Sequence, residues 1–164
     1  VTGVQTWLFR SRIDRIREMS PDATFRSNFI VGYPGETEED HDELLRFVER
    51  AQLDWCGFFT FSPEDGTHAL TLPDKVPTSL MEERIAELRE MQDGITAAKR
   101  DELLGETVRV LVDEPGLARS FREAPEIDGM VQVADDLSVG EFHDVVIGQV
   151  FGPDLIAKIG RAHV

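Results

Sequence analysis

Two stretches of this chain carry residue types at spacings that could do chemistry. The first runs from Phe29 to Thr37, FIVGYPGET. Apolar residues leading into Gly, Pro and Gly, then a Thr placed to start a helix, describe a strand, a turn and a helix N-terminus. In parallel sheets and barrels, ligands sit at the carboxyl ends of strands, where turn glycines let a backbone come close. A helix N-terminus just beyond favours a carboxylate or phosphate. Gly32 and Gly35 are therefore candidate ligand-proximal positions, although both would be needed for the turn alone. Arg26 falls within the same apolar stretch, where an unpaired charge is costly, so it requires a carboxylate from the protein or from a ligand. The second stretch, Arg119 to Gly129, is RSFREAPEIDG. It sets Arg119 against an acidic turn holding Glu126 and Asp128. It reads equally as a hairpin with Asp128-Gly129 in a tight turn.

Other reactive side chains offer less. Glu64 and Asp65 follow a strand end, but carboxylates in such a turn are usually solvated. Cys56 lies among aromatic residues and reads as an apolar filler. It is the only cysteine, so an internal disulfide, a cysteine-held iron–sulfur cluster and a structural zinc site are excluded within these residues. His41, His68 and His143 follow no ligand spacing and read as surface residues. The acidic run Glu38, Glu39, Asp40, Asp42 and Glu43 stands at a helix start, where the dipole favours it, and reads as a solvated cap.

These residues need elements to hold them. Ile13, Ile16 and Met19 mark a helix that stops before Pro21. Thr24 to Gly32 predicts a mostly buried strand. Thr37 and Asp40 form a capping box for a helix with Leu44, Leu45, Val48 and Ala51 on its apolar face. Leu53 to Phe61 predicts a second strand, giving one right-handed parallel unit. Residues 62–77 form a loop. A long helix follows, capped by Thr78 or Ser79, with Ile85, Leu88, Met91, Ile95 and Ala98 in phase, and it stops at Gly105. Gly94 weakens its middle by roughly 1 kcal/mol. From Glu106 the period becomes alternating. Val108, Val110 and Val112 are followed by short strands at 116–122, 128–134, 142–151 and 155–157, the pattern of a small barrel.

The sequence has 164 residues, 41% of them hydrophobic, with 10 Phe, which is enough for a packed core. Its formal charge of −15 argues against a general nucleic-acid binder. Residues 102–158 carry 4 basic and 12 acidic side chains, a net −8. No signal peptide and no apolar run of about 18 residues is visible, so a soluble, cytoplasmic protein is expected.

Both ends read differently from the rest. Residues 1–11 (VTGVQTWLFRS) have no helical or strand period and resemble a translated sequencing-library adapter; residues 159–164 (IGRAHV) resemble the opposite adapter. Both are expected to be artefacts outside the native chain. The expected organisation is then 12–101 for the strand–helix part with its linking helix, and 102–158 for the barrel.

The run VGYPGETEED at 31–40, with a helix and then FTFSPEDGT at 59–67, resembles the late strands of the radical S-adenosylmethionine methylthiotransferases. The long helix and the barrel from about residue 102 resemble the TRAM domain that closes those enzymes. Arg119-Ser120 followed by APEIDG at 124–129 is similar to the RimO-like branch, which adds a methylthio group to an aspartate of a small-subunit ribosomal protein. The resemblance implies the C-terminal part of a radical SAM (β/α) barrel followed by an OB-like five-stranded barrel. It also implies S-adenosyl-L-methionine and two 4Fe-4S clusters, whose cysteines would lie upstream of Arg12. Arg26, Gly32 and Gly35 carry over as cofactor-proximal, and Arg119, Glu126 and Asp128 as substrate-binding; no catalytic or metal-ligating residue carries over. This stretch alone is expected to be inactive.

The family's MiaB-like branch modifies an adenosine in tRNA, and its TRAM domain would be expected to be basic. A segment at −8 suits a basic small-subunit ribosomal protein instead, making tRNA the less favoured partner. A stand-alone acidic TRAM module that binds proteins or RNA is the remaining alternative, and it would account for the single cysteine.

Overall fold

A computed structural model describes the backbone of residues 3–158 and the side chains of residues 11–158. The expected adapter tail at 159–164 lies outside the described residues, as do residues 1 and 2. Helix α1 spans Gly3–Met19, so its backbone continues through most of the segment expected to lack helical period. Extending a helix from the turns around Ile13 and Ile16 is far easier than nucleating one, and no Pro interrupts residues 3–11. The order continues β1 Arg26–Val31, α2 Glu38–Ala51, β2 Trp55–Thr60, a 3₁₀ turn His68–Thr71 and α3 Thr78–Asp101. Five further strands follow: β3 Thr107–Glu114, β4 Leu117–Arg119, β5 Val131–Gln132, β6 Phe142–Phe151 and β7 Asp154–Ala157. The chain divides into two compact units at Ile95/Thr96, inside α3 and a few residues before the boundary read from the sequence.

In the first unit β1 and β2 pair in parallel, from Arg26↔Trp55 to Val31↔Thr60, with α2 as the crossover. Thr37 caps α2 as expected: its side chain accepts the Asp40 N–H while Asp40 accepts the Thr37 N–H. The core joins Val31, Val48, Phe58, Ile85, Leu88 and Ile95, and the Phe29 and Phe58 rings stack with centroids 5.6 Å apart. The expectation of a mostly buried strand at 24–32 is corrected. The burial of β1 alternates, and Ile30 is 65% exposed beside its register partner Phe59 at 55%. A parallel strand is buried throughout only when both faces are covered, and here the helices cover one. The start of α3 also differs: the Met81 N–H bonds the Pro77 carbonyl, so Pro77 holds the cap position and Thr78 is already helical.

The second unit is a closed five-stranded barrel in the order β3-β4-β5-β7-β6. Its core takes the alternate residues Val108, Val110 and Val112 of β3 with Ala118, Val131, Val133, Ile147 and Leu155. All five expected strands are present, but β4 has only 3 residues and β5 only 2. Gly105, at φ +86°, turns the chain from α3 into the barrel and donates its N–H to the Ile147 carbonyl.

Candidate functional site

The first candidate is the turn after β1. Gly32 and Gly35 both sit at φ +90°, a left-handed conformation that L side chains rarely adopt. A Cβ on Gly32 would also run into the Met81 side chain from α3. The turn's donors are engaged from within. The Gly32 N–H donates to Glu36 Oε2 at 2.7 Å, and the Gly35 N–H to the Asp74 carbonyl at 2.9 Å.

Behind the turn lies a feature that the local sequence did not announce. Arg84 of α3, 3% exposed, reaches Glu36 Oε1 at 2.5 Å and Glu38 Oε1 at 2.6 Å. Glu36 thus holds the Gly32 amide with one oxygen and the buried guanidinium with the other. The two carboxylates push the Arg84 pKa up from its ordinary value, outweighing the burial that would lower it. One signal was available: Arg84 stands between Met81, Ile85 and Leu88 on the buried stripe of α3, where a charge demands partners. The acidic run is accordingly only partly a solvated cap, because Glu38 binds Arg84 and Asp40 closes the capping box. Hydrogen bonds from Thr37 hold the Asp40 carboxyl below its ordinary pKa.

Arg26 does not join this turn. It opens β1 and is exposed rather than buried, and six residues of strand separate it from Gly32, roughly 20 Å. It lies beside Cys56, whose thiol is pushed up to about 12 chiefly by burial, against a smaller opposing pull from Arg26. That protonated thiol fits the filler reading. His41 departs from expectation: it is 4% exposed, with Nε2 2.9 Å from Glu87 Oε2. Glu64 and Asp65 are exposed turn residues, as anticipated.

In the barrel, Arg119 Nε reaches both oxygens of Asp113, at 3.1 and 2.9 Å. Asp128 accepts the Ala124 N–H at 3.0 Å and closes the 124–128 loop. Glu126 is exposed, with φ +64°. The tight-turn alternative for Asp128-Gly129 does not hold, since Gly129 has no positive φ. Glycine is required there because a Cβ would collide with the Pro153 carbonyl. The sequence reading also missed Glu123, 4% exposed, which accepts the Ser120 N–H and Oγ at 2.6 Å and pairs with buried Arg100 at 2.5 Å.

Residues 104–159 match the TRAM domain family. The ribosomal protein uS12 methylthiotransferase RimO of Aquifex aeolicus (strain VF5) is 43% identical over 158 residues, covering 91% of this chain and 37% of that protein. The proteins of the same name from Synechococcus sp. (strain JA-3-3Ab) and Azoarcus sp. (strain BH72) are 44% and 46% identical, covering 92% and 90% of this chain and 34% of each relative. This is a RimO-like chain that carries a TRAM domain. The RimO-like chain spans about a third of the length of these relatives. Its barrel is the TRAM part, and the Gly32–Glu36 turn falls in the part before it.

Among the described residues no three His, Cys, Asp or Glu side chains group in a way that could hold a metal ion. Nor does any described helix have the length and apolarity to cross a membrane.

Proposed function

We propose that the RimO-like chain is the C-terminal part of a methylthiotransferase that modifies an aspartate side chain of a small-subunit ribosomal protein. The observation that carries this reading is identity of 43–46% to proteins named uS12 methylthiotransferase, sustained across about 90% of the chain. Two 4Fe-4S clusters belong to the reading, but the residues present do not fit them: the one cysteine is a half-buried thiol that keeps its proton. In this reading the cluster ligands lie upstream of Arg12.

S-adenosyl-L-methionine is the cofactor of the reading, with Arg26, Gly32 and Gly35 as its neighbours. The engaged amides of Gly32 and Gly35 support a shaping part for the turn rather than a donating one. Arg26 shares the uncovered face of the β1–β2 sheet with Ile30 and Phe59, and this face is suited to line a cavity. Arg119, Glu126 and Asp128 are proposed on the substrate side. Of these, Glu126 is the most available, because Arg119 and Asp128 already hold Asp113 and the 124–128 loop.

The substrate class follows from charge. Residues 102–158 hold 12 acidic and 4 basic side chains, which attract a basic ribosomal protein and repel tRNA. The reading places the protein in the cytoplasm, where ribosomal proteins are made.

Sequencing outward from the source DNA tests the assignment. The expected result is a continuous upstream frame containing Cys-x3-Cys-x2-Cys and three further cysteines before it. A start codon near Arg12 would contradict it and leave a binding module.

A further inference from the structure

Helix α3 bears on the turn after β1 at two points one helical turn apart. The Met81 side chain fills the space where a Cβ on Gly32 would stand. Three residues on, and so on the same side of the helix, the Arg84 guanidinium holds Glu36 through one nitrogen and Glu38 through another, at 2.5 and 2.6 Å. A buried ion pair is a weak source of stability, because desolvation offsets much of the attraction. What it supplies here is geometry. A planar guanidinium fixes the direction of both partners, which the point charge of a lysine does not.

That geometry reaches the peptide between Val31 and Gly32. Its carbonyl accepts the Phe61 N–H at 2.7 Å, and its N–H donates to Glu36 Oε2 at 2.7 Å. The plane in which β1 ends is therefore held from both sides, once by the end of β2 and once by the carboxylate that Arg84 grips. The Glu36 N–H then closes the turn onto the Tyr33 carbonyl at 2.9 Å. Between these ties Tyr33, 47% exposed, meets the Phe61 ring in a T-shaped contact with centroids 5.2 Å apart. The Gly32, Gly35 and Glu36 amides are spent inside the turn, so an aromatic pair rather than those donors faces out at the carboxyl ends of β1 and β2. Such rings suit a ligand that is both a flat heterocycle and a cation, and S-adenosyl-L-methionine carries an adenine and a sulfonium.

We propose that Arg84 is a positioning residue for S-adenosyl-L-methionine: acting through Glu36 and the Gly32 amide, it sets the Tyr33–Phe61 pair against which the cofactor binds. The presence of the cofactor at this turn rests on the functional reading above, whereas the line from Arg84 to Tyr33 rests on the structure alone.

The test has two readouts. Tyr33 is the one tyrosine of the chain, so 3-fluorotyrosine incorporated into the chain as it stands reports by fluorine NMR on that ring alone. Cofactor affinity is read by equilibrium dialysis in a chimera that carries this chain in place of the matching part of the Aquifex aeolicus relative, loaded with iron and sulfide. Arg84→Lys keeps the charge but cannot fork. With circular dichroism unchanged, it is expected to move the fluorine signal toward that of free fluorotyrosine and to weaken cofactor binding about tenfold. A merely structural role would lower the bound fraction at saturation and leave the affinity alone. Glu87→Gln alters another tie between α2 and α3, that of Glu87 to His41, and is the control. It should leave the signal in place and the affinity within about twofold. If Arg84→Lys does not fold, Glu36→Gln breaks the same tie from its other end while its amide oxygen still accepts the Gly32 N–H, and the same directions are expected. A moved signal with unchanged affinity, or an equal loss on Glu87→Gln, would overturn the positioning role and spare the cofactor reading. Weakened binding with an unmoved signal would overturn the route through Tyr33 and the proposal with it. Failure of the unaltered chimera to bind, where the parent relative binds, would sink the cofactor reading and the proposal together.

Discussion

The guanidinium of Arg84 is held out of water by two carboxylates, and one of them also carries the backbone amide of Gly32. Removing Arg84 strands the part-buried Glu36 carboxylate, 14% exposed, at a cost of up to about 3 kcal/mol, whereas Glu38, 71% exposed, stays solvated and loses little. Arg84→Leu is therefore expected to lower the unfolding free energy of the first unit by up to about 3 kcal/mol in urea titrations. Pairing it with Glu36→Gln should cost less than the two changes summed, because the stranded charge is gone. Cys56 gives a second prediction. Its pKa is about 12 in the fold against an ordinary 9.0, so the folded state binds the proton more tightly than the unfolded one. Stability from this group is fully present below pH 9.0 and is lost as pH rises from there toward 12. Its reaction with a thiol reagent at pH 8 should be slow in buffer and fast in denaturant; equal rates would contradict the burial. The sequence showed the Thr37–Asp40 box because both partners lie within four residues and the motif is local. It did not show Glu36–Arg84, whose partners are 48 residues apart. It misplaced His41 and Arg26 because side-chain burial depends on which strand and helix faces are covered, a tertiary property.

At the scale of elements, what was legible followed period. Alternation announced β3, helical spacing announced α2 and α3, and the change of period near Glu106 announced the barrel. What was not legible was length. The expected strands at 116–122 and 128–134 shrink to 3 and 2 residues, because the intervening segment folds on the buried Glu123 rather than on ladder bonds. Glycines divide by the same logic. Gly94 in α3 has helical φ and open space where a Cβ would stand. Gly94→Ala should thus stabilise the chain by about 0.5–1 kcal/mol in thermal or urea unfolding, and a loss of stability would contradict the geometry. Gly32→Ala should destabilise, and Met81→Ala should restore only part of the loss, since the clash is relieved while the positive φ remains.

For the whole molecule, the two units differ in how completely they are closed. The barrel pairs each of its strands with a neighbour on either side. The two-stranded parallel sheet leaves an edge open on each strand, with Ile30 and Phe59 exposed on one face. Amides of β3 and β6 should accordingly exchange hydrogen much more slowly than those of β1 and β2; equal protection would show that the sheet is stable without further cover. Under the proposed function that face would be covered by further strands of a larger (β/α) barrel, distinct from the closed five-stranded one. The most direct measurement is functional. The matching part of the Aquifex aeolicus relative is replaced by this chain, the chimera is loaded with iron, sulfide and S-adenosyl-L-methionine, and uS12 is analysed by peptide mass spectrometry. The proposed function predicts a methylthio group on one aspartate of uS12 and none on tRNA. Methylthiolated adenosine in tRNA, with unmodified uS12, would contradict it.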